Sequence, residues 1–136
     1  MKLLALALCC VWVAVAADPN STVAGVWRAE MDGLPALVMT ISDEGGELTG
    51  AILFYLIRRD EGQPPRSSPG AAPEPLFNLK FDGATLEFRP SHRRSHGART
   101  ANDPPTSFRL KITGPNEGIL VREKDQAHAI RVTRDK

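Results

Sequence analysis

The chain has little cysteine, and both copies lie in its first ten residues. Cys9 and Cys10 belong to the opening segment MKLLALALCCVWVAVAA, which has one basic residue, Lys2, then an apolar run and small residues. This order is typical of a secretory signal peptide, and the apolar run is shorter than the roughly 20 residues of a membrane span. We predict a signal peptide over residues 1–17 and one domain over residues 18–136, secreted or periplasmic and without disulfide bonds.

An excess of charge of either sign is also missing. The chain has 17 lysine and arginine residues against 16 aspartate and glutamate residues, and cleavage would remove Lys2 and leave 16 of each. A protein without net charge is not a general binder of nucleic acid or of membrane surfaces. We therefore predict no nucleic-acid partner and, after cleavage, no membrane span, so any electrostatic function has to come from local clustering.

Signatures of catalysis and of metal binding are absent as well. The sequence has no G-x-S-x-G, no H-E-x-x-H and no glycine-rich nucleotide loop. His92 and His96 are four residues apart, but Pro90 and Gly97 argue against a helix there, and the surrounding arginines oppose cation binding. His128 falls on a predicted inward face, which indicates a core histidine. We predict a non-catalytic protein without a cofactor or a metal.

What the sequence does contain is a series of short segments in which apolar and polar residues alternate. Glycine, proline, aspartate and asparagine separate these segments and mark turns. Eight strands joined by local turns favour an up-and-down antiparallel arrangement, and eight such strands can close into a barrel. The fold class is therefore predicted as all-β, with strands over residues 23–31, 36–42, 48–59, 76–81, 85–90, 107–113, 119–124 and 127–134.

The third predicted strand is unusual because both of its faces are apolar over residues 51–57. One face continues the core pattern, and the other carries Leu53, Tyr55 and Ile57. That second face needs cover by a loop, by the N-terminal segment or by a second subunit. In the fourth strand, alternation places three side chains inward, namely Phe77, Leu79 and Phe81.

Two long connections are predicted to lie at one end of the barrel, which we call the mouth. Residues 60–75 hold five of the 11 prolines and are predicted as a loop, and a second long loop follows Pro90. Alternate connections of an up-and-down barrel share an end, so both loops meet there. Arginines are concentrated in and beside these loops, with Arg58, Arg59 and Arg66 at the first loop. Those predicted to line the mouth and meet a ligand are Arg59, Arg93, Arg94 and Arg99.

The Gly25-Val26-Trp27 segment resembles the G-x-W that opens the first strand of calycins, the family of lipocalin-, fatty-acid-binding-protein- and avidin-type barrels. The resemblance implies a barrel in which Trp27 packs across the closed end beneath an arginine of a late strand, for which Arg122 and Arg131 are the candidates. The chain lacks the T-D-Y signature of lipocalins, and no ligand carries over. Other stretches are similar to secreted bacterial proteins whose function is not established.

Two functions fit these patterns. The first is binding of a small apolar or amphipathic anion at the mouth, because guanidinium groups bind carboxylate or phosphate bidentately. The second is a protein-interaction or inhibitor module, or a homodimer, that uses the third strand over 51–57 and the long loops. A small barrel filled by its own side chains would favour the second. A solvated loop without a ligand is the remaining interpretation. For the first, the predicted ligand-binding residues are Arg59, His92, Arg93, Arg94, His96, Arg99, Phe54 and Phe88.

Overall fold

The computed structural model describes residues 18–90 and 106–135, so the predicted signal peptide lies outside the described residues. The described chain forms one short 3₁₀ helix and nine β-strands. The first and last residues of most strands lie within two residues of the predicted ones, a difference that is usual at the ends of such elements. The elements are the 3₁₀ helix (Pro19–Thr22), β1 (Gly25–Met31), β2 (Leu34–Glu44), β3 (Glu47–Arg58), β4 (Arg66–Pro69), β5 (Glu74–Phe81), β6 (Thr85–Pro90), β7 (Phe108–Gly114), β8 (Glu117–Arg122) and β9 (Asp125–Arg134).

Eight of these strands close into an antiparallel barrel. β1 pairs with β2 on one side and with β9 on the other, and β2 also pairs with β3, so the sheet returns on itself. Going round from β3, the order is β5, β6, β7, β8 and β9. The prediction of an all-β, antiparallel up-and-down barrel is confirmed. Within the described residues, no helix has the length and apolar character that crossing a membrane would require.

The ninth strand, β4, corrects the prediction that residues 60–75 form a loop. β4 pairs antiparallel with the end of β3, from Tyr55↔Pro69 to Arg58↔Arg66. Pro69 is tolerated in β4 because β4 is the last strand of the sheet order. The backbone groups on the outer edge of such a strand have no neighbouring strand to bond. β3 and β4 are therefore a hairpin that continues β3 past the barrel wall.

The core fills the interior of the barrel. Predicted inward residues of the second strand, Leu37, Met39 and Ile41, are all buried, as the alternation of side chains in a strand requires. Side chains from all eight barrel strands meet, and each contributes apolar surface removed from water. The buried hydrophobic residues are Val23, Trp27, Ala29, Leu37, Met39, Ile41, Ile52, Leu76, Leu86, Phe88, Leu110, Leu120 and Val132.

Phe77 and His128, both predicted to be inward, are instead exposed. Phe77 is 52% exposed and Leu76 is buried in its place, because a bulge interrupts the β5–β6 register and Asn78 adopts a left-handed φ of 54°. One extra residue in a strand exchanges its two faces. The side chain of His128 is 81% exposed and contacts Asp125, since this half of β9 pairs only with β8. His128 is therefore not a core histidine.

The end of the barrel opposite the mouth is closed around Trp27. The indole N–H donates to the carbonyl oxygen of Val23 over 2.8 Å, and the guanidinium of Arg134 lies 5.4 Å from the ring centroid. Arg134, rather than the predicted Arg122 or Arg131, covers the ring because β9 runs antiparallel to β1 and pairs its last residues with Trp27. Gly25 is required beside it, since its φ is 137° and a Cβ there would lie 2.8 Å from the Cδ of Arg134.

Candidate functional site

The connections of the barrel are divided unequally between its ends. Residues 45–46, 82–84 and 115–116 make tight turns at the closed end. The connections after β1, β3, β6 and β8 emerge at the mouth, because each strand is antiparallel to the next. The mouth therefore receives the β3–β4 hairpin and both ends of the long connection between β6 and β7.

The inward face of β3 leaves the core at the mouth and becomes exposed. Ile52 is fully buried, Phe54 is 36% exposed and Leu56 is 54% exposed. These side chains share one face, because alternate residues of a strand point the same way, and Arg58 is the next on that face. Pairing between β2 and β3 ends at Leu37↔Phe54, so β3 carries this face past its neighbour. We call Phe54, Leu56 and Arg58, together with Arg66 of β4, the mouth stripe.

A pocket of about 250 Å³ adjoins the apolar part of the mouth stripe. Its far wall is the segment 70–72, which joins β4 to β5 and is tied to β3 by a hydrogen bond of 2.9 Å from the N–H of Gly70 to the carbonyl of Phe54. A Cβ on Gly70 would lie 3.2 Å from the Cγ of Leu56. Glycine therefore lets this segment approach the apolar side chains closely. One carboxylate, that of Glu74, also lines the pocket.

Three aromatic rings connect this pocket to the core. The ring centroids of Phe54 and Phe108 are 6.1 Å apart, and Phe108 stacks on Phe88 at 5.7 Å with an interplanar angle of 8°. Offset ring pairs at such separations are favourable beyond their burial. Of the two aromatic residues predicted to bind ligand, Phe54 lines the pocket. Phe88 is buried behind Phe108 and does not line it.

Arg59, the predicted ligand residue of this hairpin, is engaged elsewhere. Its side chain forms an ion pair with Asp32 in the turn between β1 and β2. Because Arg59 directly follows Arg58, the alternation expected of extended chain separates it from the mouth stripe. Arg58 has neither an ion pair nor a side-chain hydrogen bond within the described residues.

Arg58 and Arg66 were predicted to lie at the mouth but were not among the predicted ligand-binding residues. They are direct cross-strand partners, so their side chains share one face of the hairpin. Arg66 also pairs with Asp60 at 2.8 Å, and both of those side chains are more than half exposed. Such exposed pairs contribute about 0–1 kcal/mol, so a ligand anion can replace Asp60 at little cost. The position of Arg58 in the alternating pattern of β3 was the signal that would have identified it.

The other predicted ligand residues lie outside the described residues. They are His92, Arg93, Arg94, His96 and Arg99. β6 ends at Pro90 and β7 begins at Phe108, so the connection that carries them starts and ends at the mouth. Their roles stay predictions. In the described part of the chain, no group of three or more histidine, cysteine, aspartate or glutamate side chains is arranged to hold a metal ion.

The outward face of β3, which was predicted to need cover, is half-buried. Leu53, Tyr55 and Ile57 are half-buried, whereas Phe54 and Leu56, on the opposite face, are the more exposed. The accessible apolar surface of this strand is therefore the mouth stripe. Comparisons with protein-family models, with curated proteins and with solved structures find no match to this chain.

Proposed function

We propose that this protein binds a small amphipathic anion on the mouth stripe, without chemical conversion. The apolar part of the ligand would cover Phe54 and Leu56, and its acidic group would lie between Arg58 and Arg66. The observation that carries this proposal is that one continuous strand face runs from buried Ile52 through exposed apolar side chains to a facing pair of arginines. An apolar surface that ends in guanidinium groups matches a carboxylate or phosphate attached to an apolar body.

Electrostatics within the hairpin supports an anion rather than a neutral ligand. Like charges placed directly opposite on neighbouring strands destabilise a hairpin, and Arg58 and Arg66 are placed in this way. Asp60 offsets one of the two charges. A bound anion between the guanidinium groups removes the remaining repulsion and accepts hydrogen bonds from both.

The size of the pocket limits the ligand to a small molecule. Pockets for drug-sized ligands measure about 300–1,000 Å³, and the pocket at the mouth is smaller, at about 250 Å³. Because core side chains occupy the barrel interior, the ligand would rest at the mouth rather than inside the barrel. An aromatic acid or a short acyl acid has the right dimensions and charge.

We also propose that this protein is secreted and that it is related to the calycins. The chain carries the Gly25-x-Trp27 pattern, and Arg134 of the last strand stacks on that tryptophan, which is the arrangement that the resemblance implied. Together with the predicted signal peptide, these features support an extracytoplasmic binding protein of the calycin type.

Protein interaction through the third strand, residues 51–57, is the second candidate. It is favoured by the filled interior of the barrel. It is also favoured by the position of β4, which in the described sheet order is the terminal strand and pairs only with β3. Unpaired strand edges next to exposed apolar side chains are sites of strand-to-strand association. A homodimer formed there would bury Phe54 and Leu56 instead of exposing them to a ligand.

The test is titration of the full chain, recovered after secretion, with the amphipathic anion 1-anilinonaphthalene-8-sulfonate, followed by its fluorescence. Short acyl and aromatic carboxylates then compete for the site. Arg58→Gln with Arg66→Gln should weaken binding about tenfold or more, because charged hydrogen bonds contribute roughly 1.5–3 kcal/mol. Arg131→Gln, an exposed arginine on β9, is the matched control and should bind as the wild type does.

Two controls complete this experiment. Leu56→Ser should weaken binding, whereas Met31→Ser, which removes another apolar side chain that is 48% exposed, should not. Native mass spectrometry of the same samples reports the subunit number. A ligand-free dimer that Leu56→Ser converts to a monomer would replace the binding proposal by the protein-interaction one.

A further inference from the structure

The wall of the barrel is incompletely paired between β3 and β5. Their ladder consists of Ala51↔Pro75 and Ile52↔Glu74, whereas β2 and β3 pair over eight residues. Both strands continue toward the closed end beyond this short ladder, β3 as far as Glu47 and β5 as far as Phe81. The facing edges, residues 47–50 and 76–81, are therefore left without ladder partners on this side.

A groove of about 610 Å³ occupies this gap. Leu48, Leu79 and Phe81 line it with half-buried apolar side chains, and Phe77, 52% exposed, stands at its side. Its volume falls within the range of about 300–1,000 Å³ found for binding pockets. The groove lies near the closed end, away from the mouth stripe, and shares no lining residue with the mouth pocket.

The backbone of β5 explains why the gap is built into the fold. The register with β6 shifts between Phe77 and Lys80, and Asn78 within that shift has a φ of 54°, a conformation that few residues other than glycine adopt. Bulges bend a strand and interrupt its pairing. The bulge also turns Phe77 outward, which places an aromatic side chain beside the groove.

The charges that line the groove and adjoin it on the β2–β3 side are acidic, whereas Lys80 of β5 lines a different pocket. Glu47 is the one charged residue among those lining the groove, and the adjoining end of β2 carries Asp43 and Glu44. Asp43 accepts a hydrogen bond from the N–H of Gly46 at 2.7 Å, and Glu44 accepts one from the hydroxyl of Thr49 at 3.2 Å. These contacts hold two carboxylates at the rim, so an occupant of the groove should be basic.

We propose that this groove binds an extended segment of another polypeptide, with apolar and basic residues in alternation. The segment adds its backbone as a strand to the open edges of β3 and β5. Unpaired strand edges supply main-chain hydrogen bonds, and apolar contacts at alternate positions supply specificity. Four residues of extended chain span about 13 Å, which matches residues 47–50 of β3. This inference is independent of ligand binding at the mouth.

The experiment uses a fluorescein-labelled hexapeptide in which lysine and valine alternate, and measures its anisotropy as the full chain is added. One comparison peptide has glutamate in place of lysine. Another keeps lysine but has N-methylated valines, which cannot donate backbone hydrogen bonds. The lysine peptide should bind, and both comparison peptides should bind at least tenfold more weakly. Hydrogen exchange should show added protection of amides within residues 47–50 and 76–81 when the lysine peptide is present.

Substitutions test whether the lysine peptide binds in the groove. Glu47→Lys should weaken binding of the lysine peptide about two- to fivefold, the range of an exposed charge pair. Glu117→Lys changes an exposed acidic residue at the same end of the barrel and is the matched control. Phe77→Ser should weaken binding about fivefold or more, as an aromatic contact residue does. As this side chain is already exposed, its loss should leave the thermal unfolding temperature nearly unchanged.

Several results would overturn the inference. These are absence of peptide binding at millimolar concentration, equal binding of the N-methylated peptide, and protection at the mouth instead of the groove. Equal loss of affinity in Glu47→Lys and Glu117→Lys would indicate attraction by general charge alone. Self-association that buries residues 47–50 and 76–81 would mean that the occupant is a second copy of this chain.

Discussion

Replacing Arg134 by alanine is expected to lower the free energy of unfolding by about 3 kcal/mol. The guanidinium donates hydrogen bonds to the carbonyl oxygens of Ser21, Thr22 and Ala24 at 3.2, 2.9 and 3.0 Å, and another to the carbonyl of Pro115. It therefore ties the N-terminal segment to the turn between β7 and β8 across the closed end.

The magnitude follows from two contributions. Hydrogen bonds to a charged group contribute roughly 1.5–3 kcal/mol each when well shielded, but several of these carbonyls are exposed to water, so about 2 kcal/mol for the set is the reasonable value. The contact with Trp27 adds about 1 kcal/mol, in the middle of the range for cation–π pairs. For a domain of this size, the sum corresponds to a fall of roughly 10–15 °C in the unfolding temperature.

Urea denaturation followed by circular dichroism and by tryptophan fluorescence tests this value. In a chain processed as predicted, Trp27 is the sole tryptophan, since Trp12 lies in the signal peptide. Arg131→Ala removes an exposed arginine from the same strand and should change stability by less than about 0.5 kcal/mol. Arg134→Lys keeps the charge but not the planar fork, and should fall between wild type and Arg134→Ala.

If Arg134→Ala lowers the free energy of unfolding no more than Arg131→Ala does, this reasoning is refuted. The hydrogen bonds to the carbonyl groups would then contribute no more than solvation by water does. Wild-type stability of Arg134→Lys would instead show that charge alone matters. In that case, the directed hydrogen bonds to the N-terminal segment would not be the source of stability.

Three further changes have definite expected outcomes. Gly25→Ala should destabilise the fold by about 1–3 kcal/mol in thermal denaturation, because φ at this position is 137° and the added methyl group meets Arg134; an unchanged unfolding temperature would contradict that. Phe88→Ala should cost about 3–5 kcal/mol by urea denaturation, since the ring is buried and stacked on Phe108, whereas Phe88→Leu should cost markedly less. Hydrogen bonds from the backbone N–H groups of Thr85 and Ala84 lower the pKa of Asp82. Its stabilising effect is therefore fully present above the unfolded-state pKa and is lost as pH falls through the lower folded-state pKa. Asp82→Asn should show a shallower loss of stability on acidification, and an NMR titration of wild-type Asp82 with an ordinary or raised pKa would argue against this.

The candidate site shows where prediction from local pattern succeeds and where it does not. Phe54 lines the mouth pocket, and its place on that face of β3 could be predicted because alternation along a strand is a local property. Arg59 was preferred to Arg58 although the two are adjacent, and only the pairing of β3 with β4 decides which of them faces Arg66. Arg59 instead meets Asp32, a residue 27 positions away in the sequence.

The same distinction holds for the closed end of the barrel. The resemblance of Gly25-Val26-Trp27 to the G-x-W of calycins implied that an arginine of a late strand should cover Trp27. Arg122, Arg131 and Arg134 are equally suitable in composition, and the register of β9 against β1 selects Arg134. Register depends on the packing of the whole barrel, which no short stretch of sequence contains.

What the sequence determined by itself is the class of fold. Apolar and polar residues alternate with a period of two, and turn residues interrupt the alternation. This pattern can be seen in short stretches of consecutive residues, and it was enough to predict the eight barrel strands and their order. The tertiary structure alone decided the bulge that exposes Phe77, the open edge beside it, the extension of β3 into a hairpin with β4, and the exposure of His128. Each of these depends on where one strand ends relative to its neighbour, and that balance of backbone pairing and burial is set only when the barrel closes.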